Sequence, residues 1–335
     1  MKLYISYAPN GGPQNFMNRL TTSITAGRLA ELEENPHLAD IRLECIQNSQ
    51  VDCKSKYVVR LDGIYHDSEN TIGDTHLLNL PIRYAYHNSN GCIFQSEFDK
   101  KLTQLNFGKI DNSTVINNGA SIKVFHSSTE DLRKSLRNNF KLRNRESSYI
   151  FAASRWRRHK RLFEIIKIFE MLDSKYNNVN LHIAGEIDID SIEYKAIQNS
   201  PKKDKIKCLG NLSRDAMFEQ YKNAICFIHL SWLDHCPNVV VEAMSHGIPV
   251  LCSNEGGTRE LIEKTNLGKV CEIDKPYNFS LIELYNPPSA NHFDAKIKLE
   301  EVLDGNIEWD LVDLQSISIG NVAKRYVEFL KECIA

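Results

Sequence analysis

The sequence predicts an α/β protein of two units, each built on a parallel sheet, and three observations carry that reading. Strand-like and helix-like segments alternate nearly throughout, the pattern of parallel strands joined by crossover helices. At 335 residues the chain is long enough for two domains, each able to bury a core. A polar, charged stretch from about 126 to 147 separates the two alternating runs.

In the first run, Leu3–Tyr7, Lys56–Leu61, Gly91–Gln95 and Thr114–Ile116 read as strands, being short and rich in β-branched or apolar residues. Apolar residues at helical spacing predict helices over Asn15–Leu32, Leu78–His87 and Glu97–Leu105, with Ser96 placed to cap the last. The stretch 126–147 fits a connection carrying a short helix. The second run opens at Ser148-Tyr149-Ile150-Phe151-Ala152 and continues through strands at Asn180–Ile183, Ile206–Leu209, Ala224–His229 and Pro249–Cys252. Its helices are Arg161–Leu172, Arg214–Tyr221, capped by Ser213, and Asn238–Ser245. The last helix, Asn321–Cys333, is amphipathic, with Val322, Tyr326, Phe329 and Leu330 on one side. Residues 273–313, broken at Pro287-Pro288, follow no clear pattern.

Composition narrows the function. A net charge of −2 argues against a nucleic-acid electrostatic footprint. The nine cysteines are odd in number and contain no C-x-x-C pair, which indicates a reducing compartment and no zinc site. Cys92, Cys208, Cys226 and Cys252 fall in or beside apolar runs and are expected as buried thiols. Cys45 and Cys53 are close enough to pair only in an oxidising location. The apolar start of the chain is too short for a signal-peptide core, and no run approaches the ~18–20 apolar residues that span a bilayer. A cytoplasmic protein with at most peripheral membrane contact is expected.

The most informative stretch is 231–262, SWLDHCPNVVVEAMSHGIPVLCSNEGGTRELI. Pro237 suits a first helical position, Val239, Val240, Ala243 and Met244 give an apolar face, and Gly247 stops the helix. A helix N-terminus, with free N–H groups and a positive dipole end, therefore lies between two acids, Asp234 and Glu242, eight positions apart. That arrangement fits a ligand with an anionic middle and hydroxyl-rich ends, such as a nucleotide sugar.

The stretch resembles the donor site of the retaining glycosyltransferases of family 4, which have the GT-B architecture of two facing Rossmann-like domains around a cleft. The matching residues run Asp234-His235-Cys236-Pro237-Asn238-Val239-Val240-Val241-Glu242-Ala243, then Gly247-Ile248-Pro249-Val250 and Gly256-Gly257-Thr258-Arg259-Glu260. Asp234 stands where the family has Glu, and His235 where it has Gly. The resemblance implies that Asp234 orients the donor sugar, that Pro237, Asn238 and Val239 meet its phosphates, and that Glu242 takes the ribose. It also implies that the last helix crosses back to the first domain. The expected division is 1–127 with 316–335, a connection at 128–147, and a nucleotide-sugar-binding domain at 148–315.

Five further segments are similar to family segments. Arg155 and Lys160, five residues apart in Ser154-Arg155-Trp156-Arg157-Arg158-His159-Lys160-Arg161, match the pair that neutralises the departing diphosphate, with Ser154 and Arg161 in place of two glycines. Gly11 and Gly12, after Asn10, match a loop that meets the phosphate from the first domain; as residues alone they are equally a plain turn. Gly185 ends a strand in a small-residue turn, and Leu209 lies in the loop whose backbone reads the base. Asp62 falls near the reacting carbon, or is simply the residue of an Asp-Gly turn. Asp188-Ile189-Asp190 is a D-x-D, a metal motif in the other major glycosyltransferase fold, but it sits in an acidic loop outside the phosphate arrangement.

The expectation is a retaining, metal-independent glycosyltransferase with no cofactor, acting on a nucleoside-diphosphate sugar and a saccharide or lipid-linked acceptor in glycan biosynthesis. The alternatives are a catalytically silent nucleotide-sugar-binding subunit and a GT-B nucleotide-sugar epimerase. A Rossmann oxidoreductase is disfavoured, since G-x-G-x-x-G is missing.

Overall fold

A computed structural model describes residues 1–6, 11–50, 52–66, 75–124, 126–146 and 148–335. Tyr7 and Asn10, assigned above to the end of the first strand and the loop after it, lie outside the described residues. The first unit holds β1 (Lys2–Ile5), α1 (Gly12–Ala26), β2 (Glu31–Leu32), β3 (Ile41–Cys45), β4 (Tyr57–Arg60), α2 (Thr75–Asn88), β5 (Gly91–Phe94), α3 (Glu97–Phe107) and β6 (Ser113–Val115). Its six strands run β2-β1-β3-β4-β5-β6, and every pair is parallel. After α4 (Thr129–Glu146) come β7 (Tyr149–Ala153), α5 (Leu162–Glu170), β8 (Asn180–Ala184), α6 (Ile192–Gln198), β9 (Ile206–Gly210) and α7 (Arg214–Asn223). The second unit continues with β10 (Cys226–His229), α8 (Asn238–Ser245), β11 (Val250–Ser253), α9 (Thr258–Thr265), β12 (Gly268–Cys271) and α10 (His292–Leu303). Its sheet, β12-β11-β10-β7-β8-β9, is likewise parallel. The two-sheet α/β reading holds.

The chain closes with α11 (Ile319–Ile334), which returns to the first unit. Val322, Ala323, Tyr326 and Leu330 pack there with Phe16, Met17, Leu20 and Ile24 of α1. Burying such a face is what fixes an amphipathic helix of this length.

Three parts differ from the sequence expectation. The helix expected over Asn15–Leu32 ends at Ala26, where Gly27 stops it, and Glu31–Leu32 form an edge strand instead. The connection carries an 18-residue helix rather than a short one. Leu132, Leu136 and Phe140, at i, i+4 and i+8, bury in the second core, while Arg143 donates to the carbonyls of Lys222, Gly247 and His246. Cys208 is exposed, not buried, because it falls on the edge strand β9; all nine cysteines are free.

The unassigned segment after β12 has a definite course. Asp274 forms a fully buried, two-pronged ion pair with Arg161, at 2.5 and 2.8 Å. The following residues cross to the first unit, where Tyr277, Phe279, Ile282 and Leu284 pack on the cluster holding Phe94 and Phe98. Asn106 donates to the Phe279 carbonyl at 3.0 Å, and Arg161 also reaches the Pro288 carbonyl. Arg161 thus pins both ends of a strap that joins the two units. No helix among the described residues is long and apolar enough to cross a membrane.

Candidate active site

The site forms where the C-terminal ends of both sheets face each other, the usual place for ligands in parallel α/β proteins. Helix α8 begins at Asn238, with Pro237 as its N-cap in extended conformation. The Asn238 side chain crosses to the first unit, donating from Nδ2 to the Gly12 carbonyl at 2.8 Å. Gly12 opens α1, so the N-termini of two helices approach one another. Gly257, which caps α9, explains the glycine pair before that helix. A Cβ there would lie 1.9 Å from the His235 carbonyl and 2.5 Å from Ser96 Oγ.

Asp234 sits beside the N-terminus of α8. Lys160 Nζ donates to its Oδ2 at 2.6 Å, and buried His229 contacts the same oxygen through Nε2 at 3.1 Å. Burial alone pushes the Asp234 carboxyl upward, but the Lys160 charge and the His229 contact outweigh it and hold it well below the usual carboxylate range. His229 is itself shifted down by burial, so it stays neutral and acts as a hydrogen-bond partner. Two residues assigned separate duties from sequence therefore neutralise each other.

Glu242, on the inner face of α8, is held differently. Arg19 of α1 donates from Nη1 to Glu242 Oε1 and from Nη2 to Asn238 Oδ1, both at 2.5 Å. Tyr221 reaches Oε2 at 3.5 Å. Beside this pair opens a cavity of about 760 Å³, lined by Asn18, Arg19, Leu212, Phe218, Glu242 and His246 among others. Arg19 was not legible as a site residue, since its partner lies 223 positions away.

On the first unit, Asp62 is paired with Arg60, whose guanidinium is fully buried. Arg60 also donates to Tyr326 Oη at 3.1 Å and Asn118 Oδ1 at 2.8 Å. Asn118 in turn donates to the Cys236 carbonyl at 2.9 Å. A polar chain thus runs from α11 through Asp62's partner to the start of α8. Glu260 of α9 extends the docking, accepting from the backbone N–H groups of Glu97 and Phe98 at the start of α3, each at 2.8 Å.

Residues 134–280 match the family Glycosyl transferases group 1. An uncharacterized glycosyltransferase of Methanocaldococcus jannaschii is 28% identical over 206 residues, covering 60% of this chain and 48% of the relative, so the chain spans about half of that protein. Over 99% of the chain, the structure is similar to sucrose-phosphate synthase from Thermosynechococcus elongatus, with a TM-score of 0.65, 12% identity and 96% of that chain covered. Anabaena HepE in complex with UDP-glucose gives a TM-score of 0.59 at 15% identity, covering 99% of this chain and 97% of that one.

The fold is GT-B.

Within this GT-B frame the remaining predicted residues fall on the loops after β7 and β8, on β9, and at the starts of α1 and α8. Ser154 and Gly185 meet directly: Gly185 has φ +107, and a Cβ on it would lie 2.0 Å from the Ser154 carbonyl. Gly185 N–H donates to the Gly210 carbonyl at 2.7 Å, next to half-buried Leu209. Arg155 is exposed on the loop that ends in Lys160, while Gly11 and Gly12 are exposed at the head of α1. Val239 is half-buried in the first turn of α8. Arg161 occupies the left-handed region, φ 56, that glycine favours, and its side chain holds the strap. Asp188 takes the backbone N–H of Asp190 at 2.9 Å, a local turn.

Proposed function

We propose that this chain moves a sugar from a nucleoside-diphosphate sugar to a hydroxyl of a saccharide or lipid-linked acceptor, with retention of configuration and without a metal. One observation carries the reading: Asp234–Lys160, the N-terminus of α8 and Glu242 lie in sequence along one wall, facing Gly12 and Arg19 across the cleft. The match to Glycosyl transferases group 1 over 134–280 and the UDP-glucose bound by the Anabaena neighbour support it.

The diphosphate takes the free N–H groups of α8, with Lys160 and Arg155 supplying cationic charge. Glu242 takes the ribose hydroxyls, and Leu209, Gly185 and Ser154 frame the base-side loop. As Lys160 turns to the phosphate, Asp234 is left to accept from hydroxyls of the donor sugar. The acceptor oxygen attacks the anomeric carbon on the face from which the diphosphate leaves. The carbon–oxygen bond to phosphate breaks, its electron pair stays on the diphosphate, and the acceptor proton goes to that same oxygen. Asp62, fixed by Arg60, orients the incoming hydroxyl. The cationic groups stabilise charge that grows only as the bond breaks, which is what lowers the barrier.

A second reading, a silent nucleotide-sugar-binding subunit, draws on the same pairs: both carboxylates are engaged by protein cations. Incubation with UDP-, GDP- and ADP-sugars in EDTA separates the two. Release of nucleoside diphosphate that Lys160→Ala abolishes supports transfer. Binding without turnover, with any acceptor offered, supports the silent subunit.

A further inference from the structure

Resting on that reading of Glu242, we infer that Arg19 is a latch between the two units, which masks the ribose carboxylate until a nucleotide displaces it. Both oxygens of Glu242 are engaged, Oε1 by Arg19 at 2.5 Å and Oε2 by the Tyr221 hydroxyl at 3.5 Å. A ribose diol needs acceptor oxygens, so the tighter of these contacts must open. The same guanidinium occupies Asn238 Oδ1 at 2.5 Å, and Asn238 Nδ2 holds the Gly12 carbonyl. Arg19 therefore closes on the ribose end and the phosphate end at once.

The backbone of Arg19 is not free to retreat. The opposite face of α1, with Phe16, Met17, Leu20 and Ile24, is fully buried against α11. The latch opens either by rotation of the Arg19 side chain or by separation of the units. The cavity of about 760 Å³ beside Glu242 provides space for the rotated side chain. Arg19 Nε is buried without a partner among the described residues, so the guanidinium is held through its two terminal nitrogens alone. A charge-assisted contact spanning two units holds them together at this point, and a nucleotide binds in competition with it.

The test is calorimetric titration of UDP, GDP and ADP into the full chain as wild type, Arg19→Met, Arg19→Gln and Glu242→Gln. Methionine keeps the apolar stem, and glutamine keeps a polar end without charge. Both Arg19 variants are expected to bind the preferred nucleotide about tenfold more tightly than wild type. Glu242→Gln is expected to bind it more weakly. Arg19 variants that bind equally or more weakly, while Glu242→Gln is weakened, overturn the latch and leave the ribose reading standing. Glu242→Gln binding like wild type overturns the ribose reading and the latch with it. No nucleotide binding to wild type or to the Arg19 variants overturns both.

Discussion

Asp234, just ahead of α8, and Glu242, within it, carry the same kind of contact, a carboxylate on a cation, and are nearly equal in exposure: 16% and 20% for Asp234 and Lys160, 23% and 18% for Glu242 and Arg19. They differ in what the cation belongs to. Lys160 comes from the second unit, like Asp234, so that pair survives any motion between the units. Arg19 comes from the first, so the Glu242 pair exists only when the cleft is closed. The sugar end of the proposed donor site is thus preset within one unit, and the nucleotide end depends on the approach of the other. A nucleotide entering there has to open the Arg19 contact, by side-chain rotation or by hinged separation of the units.

A third pair sharpens the contrast, because neither partner is exposed. Arg161→Ala leaves Asp274 buried and unpaired, and the expected cost is about 3–5 kcal/mol of stability by chemical denaturation. Limited proteolysis should then cut between 274 and 288, where the strap loses its anchor. A variant as stable as wild type would mean that the strap is held by its aromatic contacts alone.

Next in size is Lys160→Ala. It removes the cation proposed for the diphosphate and leaves Asp234 only His229, so kcat/KM for the donor should fall about 100- to 1,000-fold. A loss below tenfold in steady-state kinetics would shift that role to Arg155. At the other end, Glu242→Ala should weaken nucleotide binding about tenfold while stability changes little, since Arg19 keeps Asn238. An unchanged dissociation constant would remove the distinction between the two ends.

The remaining expectation concerns pH dependence. Burial, with His235 nearby, pushes His66 down to about 4, and burial beside Lys160 pushes His159 down to about 3. In the unfolded chain both protonate near 6.5, so the unfolded state binds more protons below that pH. Stability is therefore full above about 6.5 and falls toward pH 4, by about 1.4 kcal/mol per unit for each histidine. Melting at pH 7, 6 and 5 should show a shallower fall for His66→Phe than for wild type. Equal slopes would place the proton uptake elsewhere.

Much of the second unit was legible because its signals are local. The reading of α8 as Asn238–Ser245 agrees at both ends with the structure, since Pro237 starts the helix and Gly247 stops it. Ser96 and Ser213 cap α3 and α7 as expected, through bonds of 3.0 and 3.2 Å. The first unit hid more. Strand β3 was not among the strands expected, because its Arg42 and Glu44 suggest a surface segment, yet both are fully buried and paired at 2.5 Å. The strap was unreadable because its order comes from Arg161 and Asn106, far away in sequence. Arg19 carries no local signal at all; only the meeting of two units gives it a partner. Local chemistry writes helices and caps into a sequence, whereas contacts across a cleft leave almost no imprint.

The most direct test of the transfer reading is proton NMR of the protein with UDP-, GDP- and ADP-sugars in EDTA, following the anomeric signal with a mixture of simple glycoside acceptors. The account predicts that one donor is consumed and that the new glycosidic signal keeps the donor's anomeric configuration. A product of inverted configuration, or turnover that EDTA abolishes, would contradict it.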